Sequence, residues 1–103
     1  MIAITVLYPK TETSTFDTAY YHDKHMKLVG ERWNTMGLKG ATVLHGTNGP
    51  DGSAPPYAVI TTLHFESLAA FGKAVETHGA EVMGDIGNFT NVHPVLQFSE
   101  IAA

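Results

Sequence analysis

Hydrophobic and polar positions divide the chain into four strand-like segments and two helix-like segments. The strand-like segments are rich in β-branched and aliphatic residues and are bounded by Pro, Gly or polar residues. They cover residues 2–8, 38–45, 57–65 and 92–101. Apolar residues at helical spacing predict a long helix over 14–36, and a second helix that follows Ser67 and weakens at 77–79. A separate helical turn is expected at 80–85, before a loop at 87–90.

The resulting order, βαββαβ, predicts a ferredoxin-like α+β sandwich. Right-handed crossovers give a four-stranded antiparallel sheet with both helices on one face and with the first and third strands in its centre. The last strand then lies at an edge, and Pro94 supports this because proline cannot donate a ladder hydrogen bond. Gly40 indicates a bulge or an edge position in the second strand. The loop 46–56, dense in Gly, Pro, Asn and Asp, joins the second and third strands.

Local signals refine the first strand and the ends of the first helix. Ser14 and Asp17 match a capping box at the start of the helix. Gly37 suits the position that follows a helix end, where the backbone often turns left-handed. The first strand has apolar residues at both alternating positions, so we expect it to be buried on both faces.

The second face of the sheet predicts a homodimer. Both helices must cover the same face, and the opposite face also carries apolar side chains. An exposed apolar face of several hundred Å² marks an interface. We therefore expect two chains to pack their open sheet faces together in C2 symmetry. A monomer with a mildly apolar exposed face is the alternative.

Composition and charge narrow the classes of partner and compartment. The 103 residues are expected to form one domain, 1–103. Six Lys plus Arg, scattered along a chain of net charge −4, form no basic patch, so we expect neither nucleic acid nor a membrane as partner. The absence of cysteine fits a reducing cytoplasm, and no apolar run approaches the ~20 residues of a membrane helix. We expect a soluble, cytoplasmic protein.

The candidate chemistry lies in the first predicted helix, at residues 14–28. With about 100° per residue, one face carries two histidines among apolar residues: His22, His25, Val29, Trp33 and Met36. The histidines stand where a purely structural helix would have Leu or Ile. Because a buried imidazole can exchange protons near neutral pH, His25 is the candidate general acid or base. His22 is a candidate substrate contact.

Three aromatic residues of the same helix complete the candidate site. Tyr20 and Tyr21 offer phenol hydroxyls that can orient a substrate or donate to a developing oxyanion. Tyr21 lies nearer the inner face, so we favour it as the catalytic helper and assign Tyr20 to substrate binding. Trp33 is a candidate substrate contact, although it also suits the core. The competing interpretation is that both histidines are core residues whose polar atoms are satisfied within the fold.

We expect neither a metal nor a cofactor. Two histidines at i and i+3 can share a metal, but the other histidines show no recognisable ligand spacing. These are His45, His64, His78 and His93. The glycine-rich loop 46–56 is not followed by a helix that could hold a phosphate. No nucleotide-binding, nucleophile-elbow or zinc-protease motif occurs.

The chain resembles the EthD family, which is named from ethyl tert-butyl ether degradation and is often labelled EthD family reductase. Four segments carry the resemblance, in order, over most of the chain. They are VLYP at 6–9, FDTAYYHDKHMKLV at 16–29, GTNGPDGSAPPY ending at Tyr57, and MGDIGNFTNVHPVLQFSEI at 83–101. Lys27 and Gly87 depart from the family pattern, in which proline is common at these two positions.

The resemblance implies a ferredoxin-like subunit that pairs into a dimeric α/β barrel, with a ligand cavity between the first helix and the sheet. The family pattern F-x-x-x-Y-Y-x-x-x-H matches Phe16, Tyr20, Tyr21 and His25, so His25 is implied to face that cavity. His22 is not part of the pattern, which ranks it below His25. The family label implies an oxidoreductase, whereas similar barrels include cyclases, isomerases and cofactor-free monooxygenases.

Three functional hypotheses are compatible with these patterns. In the first, the protein is an enzyme that acts on a small apolar or aromatic oxygenated molecule in a degradative pathway, with His25 as the acid or base. In the second, it is a non-catalytic accessory or ligand-binding protein of an oxygenase-dependent degradation system. In the third, it is an interaction module without a cavity beside His25.

Overall fold

A computed structural model describes residues 1–102 of the chain. The predicted domain extends to Ala103, which lies outside the described residues. Four strands form one antiparallel sheet in the order β2-β3-β1-β4. They are β1 (Ile2–Pro9), β2 (Leu38–His45), β3 (Tyr57–Phe65) and β4 (Val95–Glu100). The first and third strands are central and the last lies at an edge, which confirms the predicted ferredoxin-like α+β fold.

The helical layer consists of two stretches of chain. The first runs through α1 (Thr18–Tyr20), a π-helical segment (Tyr21–His25) and α2 (Met26–Trp33) without a break. The second is α3 (Leu68–Gly84), which is followed by a 3₁₀ turn at Ile86–Asn88. In residues 1–102, no helix combines the length and the apolar character needed to cross a membrane.

The first helix begins later than predicted. Its N-cap is Asp17, whose side chain accepts a hydrogen bond from the Tyr20 backbone N–H at 3.0 Å. Ser14 instead closes a turn with Thr11, by accepting from the Thr11 N–H at 2.9 Å and donating to its carbonyl at 3.0 Å. The predicted capping box is therefore wrong, because Ser14 is occupied before the helix starts.

The end of the first helix also differs from the prediction. The α-helix ends at Trp33 and is followed by a turn, so Gly37 lies several residues beyond the helix. Gly37 has a φ of +104° and completes that turn into β2. A Cβ at Gly37 would lie 2.9 Å from the Ala70 Cβ, so glycine serves here for space as well as for backbone conformation.

The second helix is continuous where a break was predicted. α3 passes through Thr77 and Gly79 to Gly84, and Ser67 caps it as expected by accepting from the Ala70 N–H at 3.1 Å. Gly79 is buried in the middle of the helix, and a Cβ there would meet the Val75 side chain at 2.9 Å. The residues that weaken the helical pattern therefore belong to one uninterrupted helix, stabilised by its packing.

The edge strands differ in how well they were predicted. β2 has the expected bounds, lies at an edge, and shows a register shift between Leu38 and Gly40. β4 begins at Val95 and ends at Glu100, which is shorter than the predicted 92–101. Pro94 precedes this strand, because a proline has no N–H for the ladder.

The sheet has one covered face and one open face. In β1, Ile4 and Tyr8 are buried under the helices, while Leu7 on the opposite face is only half-buried, so β1 is not buried on both faces within one chain. The strand register aligns one open-face apolar residue from each strand in a row across the whole sheet. We call this the apolar row, and it consists of Leu44, Ile60, Leu7 and Val95.

Two clusters of buried side chains fill the space between helices and sheet. One, which we call the Trp33 cluster, is entirely apolar apart from the indole N–H. It consists of Ile4, Val29, Trp33, Leu63, Phe65, Ala74 and Val82. The other, which we call the Tyr21 cluster, contains three aromatic residues and one valine, and its two tyrosines carry hydroxyl groups. It consists of Tyr8, Tyr21, Val59 and Phe89.

Candidate functional site

The π-helical segment decides which side chains point inward. Its defining hydrogen bond joins the Met26 N–H to the Tyr21 carbonyl, five residues earlier. The wider turn aligns Tyr21 and His25, four residues apart, and both are buried. His22 lies on the exposed side. The prediction that His22 shares the inner face with His25 is therefore wrong, because it assumed a regular α-helical period.

His25 is held from three sides. Its ring stacks on that of Tyr21 with centroids 5.3 Å apart, and the Phe89 ring lies 4.6 Å from it. Only 4% of the residue is exposed. Its Nδ1 lies 2.9 Å from the Asp85 Oδ2, and no other polar side-chain atom within residues 1–102 hydrogen-bonds to the ring. When Nδ1–H donates to Asp85, the lone pair of Nε2 is left as the acceptor.

Asp85 is the functional residue that sequence reasoning missed. It follows the last residue of α3 and lies 60 positions from His25 along the chain. The Tyr20 hydroxyl donates to its Oδ1 at 2.6 Å, and the Asn88 side-chain amide donates to the same oxygen at 2.9 Å. Its place in the family-like segment 83–101 was the only signal that pointed to it. Hydrogen bonds on both oxygens hold this carboxylate in one orientation.

Burial and hydrogen bonding shift the pKa values of this pair. Burial lowers the pKa of His25 below its ordinary value, and the neighbouring Asp85 opposes but does not cancel that effect. Burial tends to raise the pKa of Asp85, but the hydrogen bonds from Tyr20, Asn88 and His25 outweigh it and lower the pKa. At neutral pH the site therefore holds a neutral imidazole beside a carboxylate, the arrangement of an oriented base.

The two tyrosines have different positions. The Tyr21 hydroxyl forms a hydrogen bond with the Thr61 Oγ1 of β3, and burial raises the pKa of this phenol. Tyr21 also lines the cavity beside His25. Tyr20 does not line that cavity, because its hydroxyl is directed to Asp85. The structure thus brings Tyr21 and His25 to the cavity and links Tyr20 to it through Asp85.

An apolar cavity of about 50 Å³ lies between the two clusters and beside His25. Trp33 lines it, and its indole N–H donates to the Ala74 carbonyl of α3 at 2.9 Å. Val75 and Met83 also line the cavity and are 37% and 47% exposed, so they mark where it meets solvent. Other side chains that line it come from β1, β3 and the first helix. They include Ile4, Val6, Tyr8, Tyr21, His25, Val29 and Thr61.

His22 meets a histidine that the sequence did not place near it. The Nε2 atoms of His22 and His45 lie 2.7 Å apart on the surface, between the π-helical segment and the end of β2. His45 pairs across the sheet with Val59, and His64 pairs with Gly40, so these two histidines are not cross-strand neighbours. Within residues 1–102, no three His, Cys, Asp or Glu side chains form a group that could hold a metal ion.

Comparison with solved structures identifies the family. A crystal structure of an EthD-like protein from Ralstonia eutropha JMP134 is 39% identical to this chain, covers 99% of it and 92% of its own length, and superposes with a TM-score of 0.92. The chain belongs to the EthD family. This confirms the predicted resemblance to the EthD family.

More distant structures share the fold alone with this EthD-family chain. An ethyl tert-butyl ether (EthD) family protein from Bacillus halodurans C-125 is 17% identical, with 98% of each chain covered and a TM-score of 0.67. HapK from Hahella chejuensis is 13% identical, with 100% of this chain and 95% of HapK covered and a TM-score of 0.60. No family model matches the chain, and no curated protein matches it.

Proposed function

We propose that this EthD-family protein is an enzyme that moves a proton on a small, largely apolar or aromatic oxygenated molecule. The observation that carries the proposal is the oriented His25, whose Nδ1 is bound to Asp85 and whose ring borders an apolar cavity. A neutral imidazole in an apolar site is a good base, because the carboxylate behind it stabilises the imidazolium that forms. Such an arrangement suits removal of a proton from an acidic O–H or C–H group.

The residues around His25 have distinct roles in this proposal. Nε2 of His25 takes the proton and returns it to the same or a neighbouring atom of the substrate. Asp85 keeps the imidazole in one tautomer and is a positioning residue, and Tyr20 holds Asp85 in turn. Tyr21 packs against the imidazole and borders the cavity, so it orients the substrate.

The size of the cavity constrains how a substrate enters. About 50 Å³ is far below the roughly 300 Å³ of small ligand pockets. Binding therefore requires displacement of side chains at the exposed end. Met83 suits this role because its unbranched chain adapts its shape easily. The apolar lining favours a molecule with one oxygen near His25 and a hydrocarbon body toward α3.

The label EthD family reductase, together with the family's origin in ether degradation, leads us to propose further that the protein is an oxidoreductase of a degradative pathway. Electron transfer then needs a bound cofactor or an electron-rich substrate, and this chain's own residues supply the proton step. The cytoplasm is the proposed compartment, since a chain without cysteine folds equally well under reducing conditions.

The deciding experiment is turnover of a panel of small phenols, ketones and ethers by the intact protein and by His25→Gln. On any substrate that is converted, we expect the variant to lose about 10²–10⁴-fold in kcat, the usual contribution of a general acid or base. His93→Gln, which replaces an exposed histidine, is the matched control. Unchanged turnover in His25→Gln would refute the proposal. Calorimetric binding without any conversion would favour the accessory-protein alternative.

We also propose that the protein is a homodimer through its open sheet face. The apolar row supports this, because Leu44 and Val95 are 54% and 51% exposed in one chain. A four-residue apolar row across a sheet suits a face-to-face partner with the same row.

A charged residue in the row tests the dimer. We expect Ile60→Glu to shift the sedimentation coefficient from that of a dimer to that of a monomer, since the carboxylate would be buried unpaired. Leu68→Glu, at an exposed apolar position on α3, is the control and should leave the state unchanged. A wild-type protein that sediments as a monomer would contradict the dimer.

A further inference from the structure

The surface histidine pair offers a candidate cation site apart from the cavity. His22 and His45 come from unrelated elements, 23 positions apart in the chain, and their Nε2 atoms meet at 2.7 Å. The ring centroids are 4.9 Å apart, so the two rings approach nearly head-on through these nitrogens. Both residues are exposed. Two nitrogen donors thus converge on one point that solvent can reach.

We propose that this pair binds a divalent transition-metal ion that favours imidazole ligands, such as Cu²⁺ or Ni²⁺. Neutral imidazole nitrogens are preferred ligands of these ions. In the absence of a metal the two rings share one hydrogen bond, in which one Nε2 donates and the other accepts. The ion takes the place of that shared proton, which moves through solvent to Nδ1 of the same ring, and both Nε2 atoms then donate their lone pairs to the ion.

The spacing of the two nitrogens means that the rings must turn before both can bind one ion. Nitrogens about 2.0–2.1 Å from a shared ion lie about 2.9 Å apart at a 90° angle, and about 3.3 Å apart at a tetrahedral angle. The observed 2.7 Å is the length of a hydrogen bond between head-on rings, so the nitrogens must move apart by a few tenths of an ångström to accept an ion. Since both side chains are exposed, the rings can turn until their lone pairs point at the ion.

The remaining coordination positions are open. Within residues 1–102, no third His, Cys, Asp or Glu side chain joins the pair in a metal-binding group. Water or a small anion therefore completes the coordination, and the ion exchanges with solvent. Because His22 belongs to the π-helical segment that also carries His25, a bound ion ties that segment to the end of β2.

Copper binding by the whole protein tests this site. Isothermal titration with CuCl₂ in a non-coordinating buffer should give one site per chain. His22→Asn and His45→Asn should each weaken Cu²⁺ binding by roughly tenfold or more. Loss of a residue that only supports a metal ligand costs about 10–100-fold in metal affinity, and loss of the ligand itself costs at least as much. The Cu²⁺ electron paramagnetic resonance spectrum should show two coupled nitrogens in the wild type.

His93→Asn removes one exposed imidazole elsewhere and should bind Cu²⁺ as the wild type does. Equal affinities of the wild type and the His22→Asn/His45→Asn double variant would overturn the proposal. A loss in His93→Asn as large as that in the pair variants would also overturn it. None of these readouts depends on catalysis by His25.

Discussion

The two clusters beneath the helices differ in chemistry although the same helix and sheet build both. The Trp33 cluster has one polar atom, the indole nitrogen, and that atom is satisfied by the Ala74 carbonyl. The Tyr21 cluster has a phenol hydroxyl that is hydrogen-bonded to Thr61 of β3, and it borders the His25–Asp85 pair. The first is held by packing and one hydrogen bond, whereas the second depends on several polar groups that must all find partners. We infer that stability and chemistry occupy adjacent parts of one interior, which meet at the cavity.

The strongest test of the packing role is Trp33→Ala. We expect a loss of about 3–5 kcal/mol in the free energy of unfolding, since truncation of a buried aromatic residue leaves a large cavity. Urea denaturation followed by circular dichroism measures it. Trp33→Phe keeps most of the ring volume and serves as the matched variant, with a smaller loss. A loss of less than about 1 kcal/mol for Trp33→Ala would show that packing in the Trp33 cluster contributes little to the free energy of unfolding.

A smaller effect on stability is expected from the hydrogen bond between the Tyr21 and Thr61 hydroxyls. Tyr21→Phe leaves the Thr61 hydroxyl without its partner, which should cost about 1–3 kcal/mol. Thr61→Val should cost a similar amount for the same reason. The Tyr21→Phe/Thr61→Val double variant removes both polar groups and should be less destabilised than the sum of the two single variants. Strict additivity in urea denaturation would mean that the two hydroxyls do not depend on each other.

The smallest expected effect is the change of the free energy of unfolding with pH. Because burial lowers the pKa of His25 in the folded protein, the unfolded chain binds more protons just below its ordinary pKa of about 6.5. The stabilising contribution of His25 is therefore complete above that pH and is lost as the pH falls toward the folded-state pKa. We expect the free energy of unfolding to rise with pH in this window.

His25→Gln should flatten that rise, whereas the loss of stability at more acidic pH, where Asp85 becomes protonated, belongs to a different window. Urea denaturation curves at several pH values measure both. An identical pH dependence in wild type and His25→Gln would show that the imidazole is not held neutral by the fold.

Strand patterning predicted most of the fold because each strand's period of two and its turn residues are local signals. β2 and β3 have the predicted bounds, and their positions in the sheet follow from the order of elements. The helix ends were harder, since Ser14 and Asp17 both fit a cap and only tertiary contacts decide between them. α3 continues through Gly79 because packing outweighs its low helix propensity.

The site was less predictable than the fold. His25 and Tyr21 stood out because they interrupt or flank an apolar stripe. Asp85 did not, since nothing local links it to a residue 60 positions away. His22 was misplaced because a π-helical segment has no known local signature in this sequence, and a regular period puts His22 beside His25. The contact of His22 with His45 is a property of the three-dimensional arrangement alone.

The π-helical segment has a consequence for how this chain can vary. Its wide turn changes the direction in which the side chains before and after it point. One continuous helix can therefore contribute Tyr21 to the Tyr21 cluster and Val29 and Trp33 to the Trp33 cluster. Outward-facing residues such as Asp23 and Lys24 can change type freely, but their number cannot change. Deleting one of them would restore a regular helix and rotate Tyr21 out of its cluster while Val29 and Trp33 stayed in place. We therefore expect the length of this segment to matter more for the fold than the identity of its outward-facing residues.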